Sequence, residues 1–221
     1  ITGDSSDIGV RIVDANGNPV ADGVPVVFTA DFGAVGSSSR GGCVTANGGC
    51  SVVYAVQDPR PADGQPITVL ASTQVGAGTS ISRSILLYAT DPALLDLYAS
   101  NLSTAPVVVL FDLAANASCK FSFTTHVGTP KGYPAPANTL VEPKGLVSGL
   151  SGSVLSGSPI ADQLSNPKSR TPLVIEVTAP TDVADIACNA AGTLSRLVDL
   201  EVKFTAGTIT TSRIVKVRYP I

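Results

Sequence analysis

With 221 residues the chain is long enough for one large or two small domains, each able to bury its own core. Apolar residues make up 44% and charged residues 14%, which excludes an intrinsically disordered chain. The net charge of −3, with basic residues scattered singly, lacks the clustered positive field that nucleic acid or an anionic bilayer requires.

The longest uninterrupted apolar stretch, Pro106 to Phe111, falls far short of the roughly 20 residues of a membrane helix, so no membrane insertion of this segment is expected. The chain starts at Ile1 and has no Met, and it is read as a mature product or a piece of something longer from which any signal or lipid anchor has been removed. Four cysteines among turn-rich sequence favour disulfides, and hence an extracellular, outer-membrane-surface or periplasmic location. Zinc is the alternative. It is disfavoured because six residues separate Cys43 from Cys50 and the single histidine, His126, lies far off.

In chain order, the 21 Gly and 16 Pro punctuate short runs rich in Val, Ile, Thr and Phe, the signature of an all-β chain. Ile8, Val10 and Ile12 alternate with polar residues, so Ile8–Val13 reads as a half-buried strand. Asp14-Ala15-Asn16-Gly17-Asn18-Pro19 then forces a turn. Val24, Val26 and Phe28 share one face of a second strand, Val24–Ala30, in which Pro25 suits an edge or a strand start. Further strands are expected at Ser51–Val56, Ile67–Ser72 and Ser80–Tyr88, at the spacing of a β-sandwich.

Asp14 to Val20, Gly23 to Thr29, Thr45-Ala46-Asn47-Gly48 and Ile67 to Ser72 together resemble the bacterial immunoglobulin-like domain of the Big-1 type. The resemblance covers residues 1–90. It implies a module found in tandem in invasin- and intimin-like adhesins and in surface lipoproteins, and its motifs mark a turn and core positions rather than a ligand site. Cys43 and Cys50 depart from that pattern by bracketing the Thr45 to Gly49 turn, where a disulfide is expected to staple a hairpin.

A boundary is expected near Asp91-Pro92, giving domains 1–90 and 91–221. Residues 92–99 fit either a short helix capped by Asp91 or the first strand of the next domain. Strands follow at Pro106–Leu113, Ser118–Val127, Leu173–Thr178, Val183–Asn189, Leu197–Ala206 and Thr208–Tyr219. Cys119 and Cys188, 69 positions apart, match the separation of an inter-sheet bridge in an immunoglobulin-like sandwich, although there is no Trp to pack on it and Ile186 stands where a corner tyrosine belongs. The Gly/Ser-rich stretch 143–172 keeps regular Leu and Val and reads as a long, partly packed loop with a helical turn around Ile160 to Leu164. The expected fold is two immunoglobulin-like antiparallel β-sandwiches in tandem.

No prefabricated catalytic, cofactor or metal site is legible. His126 is the one base suited to a nucleophile and sits at a strand end. Gly149-Leu150-Ser151-Gly152-Ser153 breaks the nucleophile-elbow pattern at its last position. The three glutamates, Glu142, Glu176 and Glu201, read as strand carboxylates facing solvent. Asp14 to Asn18 mimics a calcium loop, but its glycine comes early and Pro25 replaces the closing Glu; Asp63 and Asp91 are weaker calcium candidates. The leading expectation is therefore a non-enzymatic structural or adhesive module, a spacer followed by a binding domain. Its partners would be adjacent modules of the same polypeptide and a protein or glycan ligand. The alternative is a carbohydrate-binding accessory module of an extracellular enzyme, for which Tyr133 and Tyr98 are the best stacking residues; His126 is a further candidate ligand contact, and an enzyme would show a deep pocket of convergent polar groups around it.

Overall fold

The alternation read from the sequence is realised as strands in a computed structural model that describes residues 5–76, 78–161 and 168–221. The chain divides into two compact units, residues 1–89 and 90–221.

The first unit contains β1 (Ser5–Arg11), β2 (Pro25–Ala30), β3 (Ala34–Val35), β4 (Arg40–Val44), β5 (Gly49–Ala55), β6 (Pro66–Val75) and β7 (Thr79–Tyr88). Two antiparallel sheets, ordered β1-β5-β3 and β4-β2-β6-β7, face each other. Their inward residues form one core, Ile8, Val52 and Tyr54 on one side and Val26, Phe28, Ile67 and Val69 on the other. Phe28 is fully buried. After β1 the chain turns through Asp14, whose Oδ1 accepts from the Asn16 and Asn18 amides at 2.8 and 2.9 Å. These bonds hold the exposed Asp14 carboxyl below its ordinary pKa, with Asn18 the main contributor. Gly41 is fixed by packing: a Cβ there would lie 1.9 Å from the Val35 carbonyl oxygen.

Cys43 and Cys50 are bonded, but not across a hairpin. The tight turn at Ala46–Gly49, with Asn47 and Gly48 at φ 51° and 74°, carries the chain from β4 in one sheet to β5 in the other. The bridge therefore staples the two sheets together. A turn signal fixes a reversal of direction and leaves open which sheet receives the next strand.

In the second unit the open choice at residues 92–99 resolves into both readings. Pro92–Leu94 forms one 3-10 turn, with the Asp91 carboxylate accepting from the Ala93 amide at 2.9 Å, and β8 (Asp96–Tyr98) follows. The remaining strands are β9 (Val109–Asp112), β10 (Lys120–Gly128), β11 (Leu140–Gly145), β12 (Ser151–Ser156), β13 (Thr171–Thr178), β14 (Ser195–Ala206) and β15 (Ile209–Pro220). They form sheets β12-β13-β10-β8 and β11-β14-β15-β9, antiparallel except where β9 runs parallel to β15. Leu97, Val127, Leu173 and Ile175 pack against Leu200, Val202, Phe204 and Val217. An ion pair of 3.1 Å between Arg213 on β15 and Asp96 on β8 joins the sheets, with burial pushing the Asp96 carboxyl up against the opposing pull of Arg213.

Two expectations for this unit are corrected. Residues 143–172 are not one long loop: Leu140–Gly145 pairs with β14 and Ser151–Ser156 with β13, so the stretch supplies a strand to each sheet. Gly and Ser lack side chains that drive strand formation, but backbone pairing with a formed neighbour does not need them. Ile160 is buried, and the expected helical turn lies mostly outside the described residues. Val183–Asn189 forms turns instead of a strand. Cys188, in that irregular segment, is bonded to Cys119 just before β10, so the bridge anchors a loop to a strand entry and does not join two sheets. The Tyr219 hydroxyl donates to the Ile186 carbonyl at 3.0 Å, holding the same segment from β15.

Candidate functional site

β8 and β10 pair with Tyr98 opposite His126 and Leu97 opposite Val127. Because successive side chains alternate, Leu97 and Val127 enter the core while Tyr98, His126 and Gly128 share the outer face. Gly128 has no room for a side chain: a Cβ would stand 2.3 Å from the Tyr133 carbonyl oxygen and 2.6 Å from Arg170 Cγ. The bare backbone at Gly128 thus lets Arg170, immediately before β13, lie flat across the sheet.

Arg170 is 3% exposed, and among the described residues no carboxylate pairs with it. Backbone carbonyls take the place of a counter-ion. Nε donates to Thr129 O (3.1 Å), one terminal nitrogen to Asn101 O and Ser103 O (both 2.9 Å), and the other to Pro130 O (3.3 Å). The Arg170 amide donates to Asn101 Oδ1 (2.7 Å). The guanidinium carbon lies 3.5 Å from the centroid of the Tyr98 ring, a stacked cation–π contact that covers Tyr98 completely. One side chain therefore pins the connection after β8 and the turn after β10.

Of the residues singled out as ligand contacts, Tyr98 lies under this guanidinium and His126 feels its charge. His126 is half-buried; burial first, and the Arg170 charge second, hold its imidazole below the ordinary 6.5. Its Nδ1 is buried without a hydrogen-bond partner, as are the hydroxyls of Tyr98, Thr129 and Thr171. Burial also pushes the Tyr98 phenol up, with Arg170 opposing. Tyr133 keeps 6% of its surface, with Lys168 Nζ 5.9 Å from its ring centroid. It offers no open ring face on which a sugar could stack, so the platform expected there is absent from this conformation. Among the described residues no Ser, Thr or Cys is hydrogen-bonded to His126 Nδ1, and the arrangement acts as a structural clamp. Arg170 was invisible in the sequence, where it is a lone basic residue ahead of an apolar strand.

The other candidates are dispersed. Glu142 pairs with Lys203 at 3.1 Å and Glu176 with Lys120 at 2.9 Å, on different sheets. Asp91 caps the 3-10 turn. Among the described residues no three His, Cys, Asp or Glu side chains are grouped closely enough to hold a metal ion. Ser151 opens β12 directly after the Gly149 turn, without the strand-to-helix geometry of a nucleophile elbow.

These features define an all-β chain of sandwich units closed by disulfides, which points to a non-cytoplasmic protein. Among the described residues no helix is long and apolar enough to cross a membrane. No family model and no curated protein matches the chain, so the Big-1 likeness of residues 1–90 stays a resemblance. Solved structures with a similar course include a Porphyromonas gingivalis W83 protein of unknown function (12% identity, 99% of this chain and 92% of that one, TM-score 0.30). Invasin, a bacterial integrin-binding protein, matches at 15% identity over 98% of this chain and 39% of its own, TM-score 0.30. Cadherin-like domains 1 to 4 of zebrafish RET match at 14% over 87% and 40%, TM-score 0.25. Scores this low carry no functional argument.

Proposed function

We propose that the chain is a non-enzymatic structural and adhesive module of a secreted or surface-anchored bacterial protein, with residues 1–89 acting as a spacer and residues 90–221 presenting a binding surface to a protein or glycan. The observation that supports this reading is the Arg170 clamp. It holds in place a connection whose tip, Leu102, is 88% exposed, and recognition residues gain from display on a loop whose backbone is already fixed. Residues 143–172, expected as one long loop, instead give a strand to each sheet, which leaves this connection the better candidate surface. Neighbouring modules of the same polypeptide would complete the assembly.

The test is adhesion of beads coated with the full chain to a panel of host cells, alongside a glycan array. Cell binding is expected, lost in Leu102→Asp with thermal stability unchanged. Adhesion that survives Leu102→Asp, or a chain that binds no cell and no glycan, would overturn the proposal. A glycan signal abolished by Tyr133→Ala would favour the carbohydrate-binding reading instead.

A further inference from the structure

Among the described residues the first sandwich is open along one side. β7 is the outer strand of its four-stranded sheet and β1 the outer strand of the three-stranded one. A cavity of about 190 Å³ opens between them, lined by Ile8 and Val10 of β1, Phe28 and Val69 behind, and Arg83 and Ile85 of β7. Register with β6 sets Ile81, Arg83, Ile85 and Leu87 on the inward side, opposite Thr73, Ala71, Val69 and Ile67, all four of which are buried. Yet only Leu87 packs on the core, while Ile81 and Ile85 stay 44% and 50% exposed. Among the described residues no strand lies across from this inward face.

The edge is also unprotected. β7 pairs with β6 over ten residues without a register shift, contains no proline, and carries a single charge. Proline, bulges and multiple charges are the usual devices that keep a free edge from pairing with another chain. The one charge specifies a partner: Arg83 lines the cavity, and its guanidinium has neither an ion pair nor a hydrogen bond among the described residues. A void of roughly 150 Å³ with apolar walls accepts a benzene ring, so this one admits a Leu, Ile or Phe side chain.

We propose that β7 is a strand-acceptor edge for an extended segment of a partner polypeptide, with bulky apolar residues at alternate positions and a carboxylate placed against Arg83. Main-chain pairing to β7 would supply affinity, while the cavity and Arg83 would select sequence and register. The inference does not depend on the adhesive role assigned to the second unit.

The test uses the full chain and a synthetic ten-residue peptide with Leu or Phe at alternate positions and one Asp, beside the same peptide with Lys for Asp. Fluorescence anisotropy and amide hydrogen exchange are read together. The Asp peptide is expected to slow exchange in β7 and to bind about fivefold or more tightly than the Lys peptide, a cross-strand charge effect of ordinary size. Arg83→Glu, at an exposed position, should reverse the preference, and Ile85→Asp should weaken both peptides. Three results would overturn the proposal: unchanged exchange in β7, a preference that survives Arg83→Glu, or concentration-dependent self-association through β7, which would assign the edge to a second copy.

Discussion

Replacing Arg170 by Ala removes the guanidinium that ties two connections to the outer face of the β8–β10 pair. Four hydrogen bonds from a cation to carbonyl oxygens contribute about 2 kcal/mol each. Taking the guanidinium out of water costs about 5 kcal/mol, and stacking on Tyr98 returns about 1 kcal/mol. The net loss is roughly 4 kcal/mol, or a fall of about 12 °C in the unfolding temperature of a unit of this size. Differential scanning calorimetry would read the transition of residues 90–221. Amide exchange should accelerate at Asn101 to Ser103 and Thr129 to Gly132 before the core responds. Arg170→Lys should recover less than half of the loss, because an ammonium cannot meet four diverging carbonyls or stack on the ring. A shift below about 3 °C, with exchange in both connections unchanged, would refute the clamp.

His126→Gln should flatten the acid limb of the stability curve. The fold holds the imidazole below 6.5, so its neutral form fits and stability is full above that pH; it is lost as pH falls from 6.5 toward the lowered folded value, and urea titrations at pH 5 and 7 would show the slope vanish in the variant. Opening Cys119–Cys188 by double Ala substitution should cost about 4 kcal/mol and opening Cys43–Cys50 about 2.5 kcal/mol, following the lengths of the closed loops, measured as shifts in urea midpoint. Gly41→Ala should destabilise the first unit by more than about 2 kcal/mol, since the new methyl would meet the Val35 backbone; an unchanged melting curve would contradict that contact.

Much of the fold was legible wherever side chains themselves determine the outcome. Ile8, Val26 and Phe28 fall on the alternating apolar faces read from the sequence, and each is buried there. Asp14 to Asn18 turns where Asp, Asn and Gly offer local hydrogen bonds and positive φ. The candidate site was less legible. His126 and Tyr133 stand out in the sequence by residue type alone, and residue type does not show that one is half-buried and the other covered.

The sequence by itself determined the class, all-β with paired cysteines, because period-two burial and turn chemistry are written in neighbouring residues. Tertiary structure decided where those pieces went: which sheet received β5 after the Asn47-Gly48 turn, that Ser151–Ser156 became a strand beside β13, and that Val183–Asn189 did not. It also turned a solitary arginine into the clamp at the end of a sandwich. Burial of Arg170 depends on hydrogen-bond partners 40 to 69 residues away, and no local pattern specifies such partners.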